Sequence, residues 1–267
     1  LLERTNRQVM LTPVGERIVS QAHRVLREVS QMVHIAEEHR DPYGGDFRLG
    51  IIPTVAPYLL PRILGPIQKS FPNLKIQLTE GQTAVITRLL REGDLDAVVL
   101  ALPVEEENLR QVPLYSEEFY FAASKHHPKA GRKSVTLEDL DEEQVLLLED
   151  GHCLRDQALD ICKSHNAVEN TNFRATSIET LRQMVAADVG ITLMPELAIT
   201  SRRGPVRYLP VRGGEQPHRD IGLCWRASST RGRLIQEMGQ VLQDAMKAVM
   251  KDVTKQATKQ ATKQLSG

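Results

Sequence analysis

From residue 47 onward the chain alternates short apolar runs with amphipathic stretches, and this alternation restricts the fold more than any other feature. Residues 47–52 read as a strand, and residues 57–70 as a helix with Leu59, Leu60, Ile63, Leu64 and Ile67 on one side. Leu74, Ile76 and Leu78 alternate as a strand, and residues 83–92 form a helix stopped by Gly93. Residues 95–102 are almost continuously apolar, as expected for a buried parallel strand. Residues 119–123, 145–148, 191–194 and 221–225 read as further strands, 178–187 as a helix ended by Gly190, and 233–250 as a closing amphipathic helix. The pattern predicts an α/β fold with mostly parallel sheets. Roughly 200 residues fit two such subdomains better than one.

The N-terminal part follows another rule. Residues 4–11 have two short halves around a polar turn, like a hairpin. Thr12-Pro13 reads as an N-cap followed by proline at the first helical position. The helix it opens runs to about His39, with Ile18, Ala22, Val25, Val29, Met32 and Ala36 spaced as a heptad seam. Arg17, Arg24, Arg27, Glu28, Glu37 and Glu38 lie off the seam, and so narrow a stripe predicts a dimer helix. Asp41-Pro-Tyr-Gly-Gly-Asp46 is a linker by composition. Within residues 251–267, Thr254 to Gln264 repeat a Thr-Lys-Gln-Ala unit without a core face, which predicts a frayed, solvated tail.

With 34 basic and 34 acidic residues, the chain has no excess charge to attract nucleic acid non-specifically. DNA contact would need a local basic patch or sequence beyond this chain. No apolar run is long enough to span a membrane, so no membrane is expected. Three cysteines in 267 residues do not make a secreted disulfide scaffold. They suit a reducing cytoplasm, where a cysteine pair is catalytic or sensory.

The segment from Glu149 to Cys162 places Cys153 and Cys162 nine positions apart in a stretch that reads as helix. Nine helical steps turn roughly 900° and rise roughly 13.5 Å, so the two side chains leave opposite faces. A disulfide needs Cα atoms within about 7 Å, so these two cannot bond while the helix stands. Cys153 follows Gly151-His152 at a helix start, where the dipole favours a thiolate, and His152 and Arg155 can add positive charge. Leu154, Leu159 and Ile161 give the segment a packing face. The spacing fits two unrelated core cysteines equally well. Without a C-x2-C pair the cysteines make a poor zinc site, even with His152 and His165 nearby, and no metal or cofactor is expected.

Leu1-Leu-Glu-Arg with Leu11-Thr-Pro-Val-Gly15 resembles the wing and linker-helix start of LysR-type bacterial transcription regulators. Phe71-Pro-Asn-Leu74 and the stretch from Met184 to Pro195 resemble their effector-binding domain. Gly151-His-Cys-Leu-Arg-Asp156 with Cys162 is similar to the peroxide-sensing members. So are Ile52-Pro-Thr-Val55, Pro57-Tyr-Leu-Leu-Pro61 and Phe173-Arg-Ala-Thr-Ser177.

The resemblance implies two Rossmann-like subdomains, periplasmic-binding-protein-like, behind a linker helix. Residues 1–11 would be a wing remnant, 12–40 the dimerisation helix and 41–45 a linker. Residues 46–116 with 223–250 would form the first subdomain, and 117–222 the second. With only the wing of the helix-turn-helix present, this chain alone is not expected to read DNA; the full-length protein is.

The resemblance further implies a hydrogen-peroxide sensor and not an enzyme. Cys153 would be the nucleophile and Cys162 its disulfide partner. Thr54, Thr83, His152 and Arg226 would bind peroxide, with Asp156 behind them, and Cys224 would be a core residue. Implied partners are DNA, a homodimer or homotetramer, RNA polymerase, and glutaredoxin with glutathione or thioredoxin as reductant. Each residue has a plainer role: Thr83 sits where an N-cap is wanted, and Arg226 suits a surface ion pair. Two alternatives remain open: a thiol peroxidase, and a two-lobed domain binding another small effector.

Overall fold

The structure is a computed structural model that describes residues 1–4, 9–163, 167–199, 204–214 and 216–263. The hairpin turn at 5–8, His165 and the last four residues lie outside the described residues, as do the side chains of Arg27, Ala36, Glu37, Glu38 and residues 252–263.

β1 (Leu2–Arg4) and β2 (Val9–Leu11) form the antiparallel hairpin, with Leu2 opposite Leu11. The Thr12 hydroxyl accepts the Gly15 amide at 3.0 Å and so caps α1 (Pro13–Arg40), as the Thr-Pro pair predicts. Ile18, Val25, Val29 and Met32 of the seam are exposed on α1.

The next unit is the one whose sequence pattern is plainest: β3 (Gly45–Ile51), α2 (Ala56–Ser70), β4 (Leu74–Glu80), α3 (Thr83–Glu92) and β5 (Ala97–Leu102). β3 lies between β4 and β5 and is parallel to both. Leu59, Ile63 and Ile67 form the buried stripe of α2. Gly93, at φ 86°, ends α3 in the left-handed conformation that glycine adopts without strain.

β6 (Leu109–Ser124) then carries the chain across into a second layer of structure. There follow β7 (Gln144–Leu148), α4 (Cys153–Lys163), β8 (Val168–Ala175), α5 (Ile178–Ala186) and β9 (Thr192–Pro195). A 3-10 turn at Glu196–Ala198 leads on to β10 (Val206–Pro210). β11 (His218–Arg226) returns beside β6, and α6 (Gly232–Lys263) packs Leu234, Ile235, Met238, Leu242 and Met246 back onto the first layer.

Two apolar cores result. The first runs from Phe47 to Tyr115 and takes in Leu197 and the stretch from Ile221 to Met246. The second runs from Phe119 to Val211. The changeover falls inside β6, which is continuous through both cores, while β11 pairs with the first part of β6 and packs in the first core. Their length matters, because each strand holds its residues rigidly at the junction.

The α/β class and the two-lobed plan follow the sequence pattern, but the sheets are mixed rather than mostly parallel. β11 is antiparallel to β5 and β6, and β6 is antiparallel to β9 and β10. The cause is the double crossover: β6 leaves the first core and β11 comes back along it. Sequence reading saw only the apolar second half of β6, because residues 109–118 carry a polar face. It passed over β8, whose Val-Glu-Asn-Thr-Asn-Phe-Arg-Ala sequence is largely polar and exposed. The frayed tail is corrected too. α6 continues to Lys263, since Lys, Gln and Ala are strong helix formers and outweigh the threonine of each repeat.

Two glycines separate packing from propensity. A Cβ at Gly190 would lie 2.5 Å from the Gln144 carbonyl oxygen, whereas one at Gly65, inside α2, meets nothing within 4 Å. Gly190→Ala is expected to cost about 1–3 kcal/mol by overpacking. Gly65→Ala is expected to add about 0.5–1 kcal/mol through helix propensity. Thermal unfolding should therefore move in opposite directions for the two variants; equal shifts would contradict the packing described.

Candidate redox site

The chain leaves β7 through Asp150 and Gly151, and Gly151 adopts φ 92°. A Cβ there would come within 2.6 Å of the Gln82 side chain, which itself donates to the Asp150 carbonyl at 3.3 Å. The start of α3 thus abuts the start of α4, and Cys153 is the first residue of α4. Leu154, Ala158 and Cys162, four residues apart, form one stripe sunk in the second core. Cys153 is half-buried and packs against the first core. The helix therefore stands between two free thiols assigned to different cores, with roughly 13.5 Å of axial rise between them.

The three thiols have different surroundings. Burial, aided by the negative charge of Glu169, pushes the Cys162 pKa up to about 11. Burial alone pushes that of Cys224, in the middle of β11, to about 12. Both stay protonated at neutral pH and are poor nucleophiles. Cys153 is the cysteine at a helix N-terminus, where unsatisfied amides and the helix dipole favour a thiolate.

A buried arginine completes this environment. Arg219, at the start of β11, lies opposite Glu117 on β6. Its Nε donates to Glu117 Oε1 at 2.8 Å, and Nη2 stands 2.8 Å from the same oxygen. Nη1 donates to the Thr54 hydroxyl at 3.2 Å and Nη2 to the Thr54 carbonyl at 3.3 Å. Burial lowers the Arg219 pKa, but negative charge on Glu117, and then on Tyr115 and Cys153 when ionised, outweighs it and the pKa is raised. Cys153 thus lies within electrostatic reach of a guanidinium fixed in its charged form. An arginine offers five N–H donors, and one on Nη1 keeps no acceptor among the described residues.

The other predicted site residues are placed as follows. Thr54 is buried and bonded to Arg219. Thr83 is the first residue of α3, beside Gln82, and its hydroxyl is shielded from solvent without a hydrogen-bond partner; the N-cap position falls to Gln82. His152 is buried immediately before α4, with Glu149 Oε1 at 3.9 Å from its Nε2. Asp156 is exposed on the first turn of α4.

Two expectations are corrected. Arg226 does not join this group; it donates to the carbonyls of Leu90, in the last turn of α3, and Leu95, just after it. Arg219 and Arg226 stand seven residues apart on one strand, about 23 Å at about 3.3 Å per residue, so only one of them reaches Cys153. Nor is Arg155 a free charge for the thiol. It is held by Asp150 at 2.8 Å and by Glu169 at 2.8 and 3.2 Å, and hydrogen bonding to Glu169 chiefly raises its pKa.

Sequence reasoning missed Arg219 and Glu117, though a signal was present. Tyr115, Glu117, Phe119 and Phe121 fall on one parity, so extending the strand back from Phe119 would have put a carboxylate on the buried face. A buried carboxylate demands a cation.

Comparison with known proteins gives the family. Residues 40–247 match the LysR substrate binding domain. The chain is 44% identical over 248 residues to the DNA-binding transcriptional dual regulator OxyR of Escherichia coli K12, covering 92% of this chain and 81% of that protein. The chain belongs to the LysR family, in its OxyR group. It is 46% identical over 239 residues to the hydrogen peroxide-inducible genes activator of Dickeya chrysanthemi, covering 88% of this chain and 78% of that one. Among solved structures, the oxidised form of OxyR matches with a TM-score of 0.71 at 44% identity, over 78% of this chain and 98% of that one. The reduced form matches with a TM-score of 0.71 at 42% identity, over 77% and 98%. A peroxide-bound cysteine-to-serine mutant of Corynebacterium glutamicum OxyR matches with a TM-score of 0.77 at 33% identity, over 96% and 81%.

The order of thiol reactivity tests the site. Brief alkylation of the reduced protein near neutral pH should label Cys153 and leave Cys162 and Cys224 unmodified until the pH approaches 11 to 12. Peptide mass spectrometry after a short exposure reads this order; first labelling at Cys162 or Cys224 would contradict it.

Proposed function

We propose that this chain is the sensing part of a transcription regulator that responds to hydrogen peroxide through Cys153 and Cys162. The observation that carries the proposal is the separation of two free thiols by one helix. One sits at a helix start within electrostatic reach of a buried guanidinium, and the other is sealed in the second core. The names of its relatives, an OxyR transcriptional regulator and hydrogen peroxide-inducible genes activators, support the same reading.

In the proposed reaction the Cys153 thiolate attacks one peroxide oxygen and the O–O bond breaks. The sulfur becomes a sulfenic acid and hydroxide departs, taking up a proton as water. The free N–H of Arg219 and the hydroxyls of Thr54 and Thr83 supply donors for the peroxide oxygens, with His152 beside them. The thiol of Cys162 then attacks the sulfenic sulfur, forming the disulfide and releasing water. Closing that bond needs Cα atoms within about 7 Å, so α4 has to unwind and Cys162 has to leave the second core. The change in α4 carries the signal to the rest of the regulator. Reduction would come from glutathione with glutaredoxin, or from thioredoxin, by thiol–disulfide exchange.

Self-association belongs to the same proposal. The exposed seam of α1 would pair with a second copy, and DNA and RNA polymerase would be the partners of the whole regulator. A thiol peroxidase would use the same first step. The difference is turnover: a sensor consumes about one peroxide per reduction cycle. No described helix is long and apolar enough to cross a membrane.

Thr83→Val retains the shape of residue 83 and deletes its unpartnered hydroxyl. Loss of one preorganised donor typically lowers a rate about 10²–10³-fold, so oxidation of Cys153 by peroxide should slow markedly with unchanged folding. Thr54→Val should act in the same direction. Rates within about twofold of wild type in both variants would remove these residues from the site. Mapping of the peroxide-treated wild-type chain should find the Cys153–Cys162 disulfide, and sulfenic acid without it would sink the switch. In sedimentation, Val25→Glu should weaken self-association, because it buries an unpaired charge in the seam; unchanged association would leave α1 a linker.

A further inference from the structure

We propose that Glu117 is a positioning residue for the peroxide reaction, holding Arg219 against Thr54 and tying it to the junction between the two cores. The proposal rests on the reading of Cys153 as the peroxide-reactive thiol.

The carboxylate of Glu117 is buried with no direct access to solvent, and each of its oxygens is used. Oε1 takes the Nε and Nη2 edge of Arg219, and Oε2 accepts the backbone N–H of Leu197 at 2.7 Å. Leu197 belongs to the 3-10 turn after β9 in the second lobe, yet it packs in the first core. One carboxylate therefore joins β6, β11 and that turn at the place where the two cores meet. A guanidinium that turned away from Thr54 would leave either this carboxylate or itself buried and unpaired, a costly state. Arg219 is thus aimed by Glu117 more than by its own flexible stem. Tyr115, two residues earlier on the same face of β6, adds a buried hydroxyl with no hydrogen-bond partner. The charged and titratable groups around the guanidinium are then Glu117, Tyr115, Tyr58 and Cys153, with Arg62 beside Tyr115 and Arg182 beside Tyr58.

Glu117 has two separable effects. It sets the direction of the Arg219 donors, which governs how fast the thiolate reacts. It also neutralises Arg219, which moderates how strongly the guanidinium favours the thiolate. Glu117→Gln removes the charge and replaces one of the two acceptors with a donor, so both effects change. Glu117→Asp retains the charge but withdraws the carboxylate by one methylene, so only the aim changes.

The test measures the second-order rate of Cys153 oxidation by hydrogen peroxide, read by quenched mass spectrometry between about pH 5 and pH 10. In Glu117→Asp the high-pH plateau should fall at least about tenfold with the midpoint unmoved, since misplacing a group by about 1 Å can cost about 10²-fold. In Glu117→Gln the plateau should fall likewise and the midpoint should move to lower pH. Circular dichroism checks folding in each case. If the Gln variant does not fold, the plateau of the Asp variant decides alone. A purely structural Glu117 would lower the melting temperature and leave plateau and midpoint at their wild-type values; that outcome overturns the proposal. Wild-type protein in which peroxide modifies Cys162 or Cys224 first would instead overturn the reading of Cys153 on which it rests.

Discussion

A single helix holds Cys153 and Cys162 apart, and the arrangement of the site follows from that separation. α4 is anchored along Leu154, Ala158 and Cys162, a stripe that belongs to the second core, while Cys153 looks toward the first. Residues nine apart on an α-helix face opposite ways with roughly 13.5 Å of rise between them, whatever their rotamers. Bond formation between these sulfurs thus opposes helix and core packing together. Emptying a core position of this kind typically costs about 2–5 kcal/mol. A thiol oxidation that overcomes such a cost becomes a change of shape.

The second requirement is a charged, dry corner for the first thiol. The fold provides it where β6 passes from one core to the other with β11 paired beside it. β6 continues through both cores and β11 pairs along it, which sets Glu117 and Arg219 opposite each other at the junction. Thr54 comes from the turn after β3, Gln82 and Thr83 from the start of α3, and Cys153 from the start of α4. The corner is therefore assembled from both lobes, so a movement of α4 and a movement of the junction are mechanically connected. The ion pairs of Arg155 with Asp150 and Glu169 brace the outer side of α4 in the present arrangement.

Much of the fold was legible in the sequence where apolar spacing is regular. α3 was bounded to the residue, and α2 and the apolar half of β6 were visible as stripes. The polar half of β6, the exposed β8 and the length of α6 were not, because local composition in those segments is decided by edge exposure or by helix propensity rather than by a core. The site was legible in its cysteines, for which helical geometry speaks directly. The cation was misassigned to Arg226 because two arginines lie on one strand, and only tertiary pairing tells them apart: Glu117 faces one end of β11, and the Leu90 and Leu95 carbonyls face the other. Glu117 escaped notice because a carboxylate beside Glu118 reads as surface until the strand's alternation is carried back from Phe119.

The central claim is that oxidation dismantles α4. Amide hydrogen exchange of the reduced and the peroxide-treated chain, with the disulfide confirmed by mass spectrometry, tests it most directly. The reduced protein should protect the amides of residues 157–163, which bond within α4. The oxidised protein should lose that protection, with a smaller change at the β6–β11 junction. Equal protection across residues 153–163 in both states, with the bond present, would contradict the account.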